Sequence, residues 1–108
     1  MARSPAGSTP IPVRSAMHRL GEHITTWRKL RQLTVAQVAD RAGVTKKTVV
    51  TLEAGDNVGV ETLLRVARAL GVLESITAAL DPYATDVGRL RADETLPVRV
   101  RHRRQEPS

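Results

Sequence analysis

The sequence predicts an all-α fold: one compact five-helix domain, with a flexible N-terminal leader and a C-terminal extension, in a chain of 108 residues. Two observations carry that reading. Apolar residues recur at helical spacing from about residue 16 to residue 80. Capping residues and glycines stand where each helical pattern starts and stops. The domain organisation follows as a leader over 1–15, a helical domain over 16–80 and an extension over 81–108. Aromatic residues are limited to Trp27 and Tyr83, so the core must come from Leu, Val, Ile and Ala.

The leader holds Pro5, Pro10 and Pro12 among serines and shows no period. It reads as disordered, either a solvated tail or a weak phosphate-contacting arm. Ser15 can cap a first helix over about 16–31, whose stripe runs Leu20, Ile24, Trp27, Arg31, with Trp27 expected in the core. Thr34 caps a second helix, and Gln37 three residues on completes a Thr-x-x-Gln capping box. Val38, Ala39 and Ala42 form its apolar side, and Gly43 supplies the left-handed residue that ends it. Thr45 caps a third helix over 46–54, and Gly55 can end it.

Asp56-Asn57-Val58-Gly59 then forms a loop without basic residues, in which Asn57 and the amides opening the next helix can meet phosphate. A fourth helix over 60–70 presents Leu63, Leu64, Val66, Ala67 and Leu70 and ends at Gly71. A fifth, over 73–80, offers Leu73, Ile76 and Leu80 as the last side of the core or as a dimer contact. It must stop before Asp81-Pro82, because proline disfavours a helical predecessor. In the extension, residues 83–92 suggest at most a helical turn around Val87 and Leu90. Leu96, Val98 and Val100 alternate with Arg99 and Arg101, the period of a short strand, and Pro97 restricts that strand to an edge. It either pairs with a partner through Leu96, Val98 and Val100 or stays a basic solvated tail.

The third helix has two chemically distinct sides. With Lys46 set at zero and about 100° per residue, Lys47, Val50 and Thr51 fall at about 100°, 40° and 140°, whereas Val49 and Leu52 fall at about 300° and 240°. One side is apolar. The other carries two ammonium groups, a hydroxyl and a methyl-bearing side chain, the groups that phosphates and major-groove base edges accept. Lys47 is expected at a base and Lys46 at a phosphate.

At these residues the chain resembles the phage-repressor and Cro-like (Xre-like) helix-turn-helix regulators. Ala39, Gly43, Val49 and Leu52 match the motif, and the match runs on through Leu52-Glu53-Ala54-Gly55 and the segment from Thr62 to Val72, covering about residues 19–80. The resemblance implies a lambda-repressor-like domain whose second motif helix enters the major groove while the first crosses the backbone. It implies DNA contact by Thr45, Lys46, Lys47, Val50 and Thr51, with Val35, Ala36 and Asn57 near the phosphates. Relatives usually carry Gln where this chain has Val35, so the phosphate clamp here rests on backbone amides. The resemblance also implies an ion pair between Arg28 and Glu53. The C-terminal extension more loosely resembles those of Xre-like antitoxins.

A net charge of +6, from 17 Lys and Arg against 11 Asp and Glu, favours a polyanionic partner. Double-stranded DNA and a second copy of the chain are the expected partners, with a toxin protein as a further one, and transcriptional repression is the expected activity. Scarce aromatics argue against stacking of single-stranded bases. No cofactor, metal or enzymatic activity is expected: Cys is absent, His18 and His23 at i, i+5 do not share a helix face, and His102 stands apart. Neither a membrane-length apolar run nor a signal-peptide pattern is present, so a cytoplasmic location is expected.

Overall fold

The computed structural model describes residues 8–84 and 86–95, and all regular structure among them is helical. The elements are α1 (Ile11–Leu30), α2 (Val35–Ala42), α3 (Lys46–Glu53), α4 (Val60–Leu70), α5 (Leu73–Ala79), a 3-10 turn (Pro82–Ala84) and α6 (Asp86–Thr95). The chain divides into two compact units between Leu73 and Glu74.

Two ends differ from expectation. α1 begins at Ile11 with Pro10 as its N-cap, so residues 11–15, expected in the leader, are helical. The reason is that proline is tolerated in a first helical turn, where its missing N–H has no intrahelical acceptor to serve. Ser15 therefore lies inside α1 instead of capping it, and accepts a hydrogen bond from the Arg19 guanidinium at 2.8 Å. In the extension, a full helix, α6, replaces the expected single turn, so the described residues hold six α-helices where five were expected. The expected strand over 96–101, with Leu96, Val98 and Val100, lies outside the described residues.

In the first unit, α2 packs on both α3 and α4, while α1 lies against α3 and α4. Val38, Val49, Val66, Ala67 and Leu70 are sealed from solvent, joined by Ile24, Ala39, Ala42 and Leu52. Leu63, expected in that core, is half-buried beside a small apolar crevice that it lines with Met17, Leu20 and Leu52. Trp27 is not core either. It is 37% exposed, with the Arg31 guanidinium 5.0 Å from its ring centroid, a cation–π contact at the surface. Its large amphipathic ring stays partly in solvent, outside a core built from small aliphatic side chains.

The second unit holds α5 beyond Leu73, the 3-10 turn and α6. Asp81 accepts from the Tyr83 amide at 2.9 Å, and Arg89 donates to the Tyr83 carbonyl and pairs with Asp86, fastening the turn to α6. Leu80, expected as the last residue of the fifth helix, follows its end and is 84% exposed.

Candidate nucleic-acid interface

The α2–turn–α3 segment is fixed first by its caps. The Thr34 hydroxyl accepts from the Gln37 amide at 3.0 Å, and the Gln37 side chain accepts from the Thr34 amide at 2.8 Å, a complete capping box. Gly43 adopts φ 72°, a left-handed conformation that a β-carbon would strain, and the Val44 amide closes back on Ala39 at 3.0 Å. The Thr45 hydroxyl then caps α3 by accepting from the Thr48 amide at 3.1 Å.

Packing and an ion pair set where α3 sits. Val49 and Leu52 plug into the core, which turns the opposite side of the helix outward. At the far end of α3, Glu53 receives two hydrogen bonds from Arg28, Nε to Oε2 at 2.7 Å and Nη2 to Oε1 at 3.1 Å. Their side chains are only 15% and 12% exposed, and the third Arg28 nitrogen donates to the Leu33 carbonyl. Hydrogen bonding to Glu53 pushes the Arg28 guanidinium above its already high range, against the opposing effect of burial. Arg28 thus ties α1 to the end of α3.

Gly21 performs a related service that apolar spacing does not reveal. A β-carbon there would stand 2.6 Å from the Glu53 carbonyl oxygen and 2.7 Å from that of Leu52. α1 therefore crosses α3 at backbone contact. The available signal was a glycine interrupting an otherwise helical stripe, which marks either a weak spot or a close approach.

On the outward side, Thr45, Lys46 and Lys47 are exposed and Val50 is 55% exposed. Thr51, expected to be exposed, is half-buried, and its hydroxyl donates to the Lys47 carbonyl at 2.9 Å. Lys47, Thr51 and Asn57 come together in one shallow groove with Thr48, Gly59 and Thr62. Lys46, Val35 and Ala36 lie outside that groove, with Val35 half-buried and Ala36 exposed. Thr48 and Thr62 were not anticipated: Thr48 follows Lys47 directly on α3, and Thr62 is brought to it from α4 by the intervening loop.

A protein-family model described as Helix-turn-helix matches residues 24–75. These residues span α2, the turn, α3 and α4, together with the end of α1 that carries Arg28. Residues 24–75 thus form a helix-turn-helix domain of the Cro/C1-type, Xre-like family. The protein is accordingly a DNA-binding regulator of that type, and α3 occupies the place of the second motif helix. Searches of curated proteins and of solved structures found no significant match. Among the described residues, no group of three His, Cys, Asp or Glu side chains is placed to hold a metal, and no helix is long and apolar enough to cross a membrane. His18, exposed, stands 3.4 Å from Glu22 one turn along α1.

Proposed function

We propose that this helix-turn-helix protein is a sequence-specific repressor of transcription that docks α3 in the major groove of double-stranded DNA and acts as a homodimer. The observation that carries the reading is the outward side of α3. Lys46, Lys47 and Val50 are exposed there, with no carboxylate among them, because the one acid of the helix, Glu53, is turned inward onto Arg28. A groove of DNA presents guanine acceptors and phosphates to such a surface. The first-turn amides of α2, at Val35 and Ala36, and Asn57 beside Lys47 supply neutral phosphate contacts. Binding rather than catalysis is the activity.

The test is the Lys46→Ala/Lys47→Ala double variant against DNA from upstream of the protein's own gene, by fluorescence anisotropy at physiological salt. Loss of a base contact costs about 1–3 kcal/mol and relaxes one position of the site, whereas loss of a phosphate contact weakens all sequences alike and lowers the salt slope by about one. Lys47→Ala is expected to act in the first way and Lys46→Ala in the second. Equal affinity of wild type and double variant refutes the role given to α3.

A further inference from the structure

The side-chain inventory of α3 narrows what the helix reads. Bidentate recognition of adenine needs a donor and an acceptor on one side chain, as in Asn or Gln, and recognition of cytosine needs a free carboxylate. Neither stands on the outward side: Glu53 is held by Arg28, and Asn57 lies on the following loop. The hydroxyls are also engaged. Thr51 donates to the Lys47 carbonyl at 2.9 Å, and the Thr45 and Thr48 hydroxyls pair with each other at 2.8 Å. What remains is two ammonium groups and a strip of methyls.

The strip has a definite place. Counted from Lys46, Val50 lies at about 40°, Ala54 at about 80° and Lys47 at about 100°, so the three share one narrow sector. Val50 and Ala54 are one turn apart and stack along the face. Val50 is 55% exposed and Ala54, the C-cap of α3, is exposed. An apolar, solvent-facing strip that runs from the middle of a DNA-facing helix to its C-cap matches one feature of a major groove, the C5 methyl of thymine.

We infer that α3 recognises its site through thymine methyl groups, contacted by Val50 and Ala54 next to a guanine contacted by Lys47. Val50 is then the specificity-determining residue, and Ala54 is small so that the helix end can approach the base. This deepens the reading given above and rests on α3 being the helix that enters the groove.

A random-sequence duplex library, amplified without modified bases, is selected on the full-length protein. The enriched duplex is then synthesised with each thymine replaced in turn by deoxyuridine, which removes only the methyl. At one or two positions the loss is expected to be about four-fold per methyl for wild type, the worth of one buried methylene-sized group. Val50→Ala, a change at an exposed site, is expected to bind the thymine and deoxyuridine duplexes equally at its own position, closing a double-mutant cycle. Enrichment of a duplex in which no deoxyuridine substitution weakens wild type overturns the inference alone. So does an equal methyl dependence in wild type, Val50→Ala and Ala54→Gly. Failure to enrich any duplex overturns the DNA-binding reading and the inference with it.

Discussion

Three arginines of the first unit end on backbone carbonyls: Arg28 on Leu33, Arg31 on Leu70 and Arg65 on Ala42, at 3.1, 2.9 and 3.3 Å. The last two satisfy the carbonyl of a helix's final residue, where acceptors outrun donors and the helix dipole favours a cation, and the first satisfies the link between α1 and α2. These charges belong to the fold before they belong to any ligand. Arg28 shows the consequence most sharply, since removing its partner leaves a largely buried cation. Glu53→Ala is expected to destabilise by about 3 kcal/mol, the lower end for breaking a buried pair because the site keeps some solvent. Urea denaturation reads that loss, and the sequence preference of whatever variant remains folded should be unchanged. Gln32 offers the opposite sign. It sits at φ 59° in the same closing pattern that Gly43 and Gly71 use, with the Leu33 amide on the Arg28 carbonyl at 3.0 Å. A left-handed residue with a β-carbon is strained by roughly 1 kcal/mol, and glycine relieves this at some cost in unfolded-state entropy. Gln32→Gly should therefore raise stability by about 0.5 kcal/mol net, a small upward shift of the urea midpoint. A lower midpoint would mean that the Gln32 side chain contributes more than its backbone strain removes.

Among the elements, α2, α3 and α4 were legible because local signals and tertiary needs coincide. Thr34, Gln37, Gly43, Thr45 and Gly71 mark their ends by caps that need no knowledge of the fold, and the apolar spacing between them points at one core. α3 tolerates little change on that side. Leu52 is 3% exposed, and Leu52→Ala is expected to cost about 2–5 kcal/mol, enough to unfold much of so small a domain. Thermal melting followed by circular dichroism measures it. The start of α1 was hidden for a physical reason: Pro10 and Pro12 break a helix in its interior but open one in its first turn, and only the run from Ile11 tells which. α6 was hidden for another. Its larger apolar residues, Val87 and Leu90, face solvent at 72% and 58%, while Ala92 is buried, so the usual stripe is absent. Trp27 misled because apolar spacing cannot separate a core position from a surface one capped by Arg31. Gly21 could be noticed in the sequence but not interpreted, because what it admits is the end of α3, thirty-odd positions away. Gly21→Ala should accordingly destabilise despite alanine's better helix propensity, which on an exposed site would gain up to about 1 kcal/mol. An increase in melting temperature would show that α1 can shift off α3 without harm.

At the scale of the whole molecule, one α3 spans too few base pairs to locate a unique site, and regulators of this kind place two recognition helices about 34 Å apart. In the proposed homodimer, a contact outside the helix-turn-helix holds the copies together. In the second unit, Leu80, Val87 and Leu90 are exposed, and Val87 and Leu90, three residues apart on α6, offer apolar side chains to such a contact. The face of a ten-residue helix is small against the roughly 1,200 Å² that a stable interface buries, so self-association through it should be weak in free solution. On DNA the same contact gains from effective concentration, because two copies on adjacent half-sites already lie within reach. Cutting the chain after Asp81 is therefore expected to leave affinity for an isolated half-site unchanged and to abolish the gain on joining two half-sites, which the full-length protein should show. Analytical ultracentrifugation of both chains, with titrations of half-site and full-site duplexes, separates the cases. Loss of the full-site gain together with loss of self-association assigns the extension to the homodimer. Self-association untouched by the cut, with a second protein recovered only by the full-length chain, assigns it to a partner such as a toxin. If both chains associate alike, bind both duplexes alike and recover nothing, the apolar residues of α6 have no role in assembly, and the two copies must meet through the first unit.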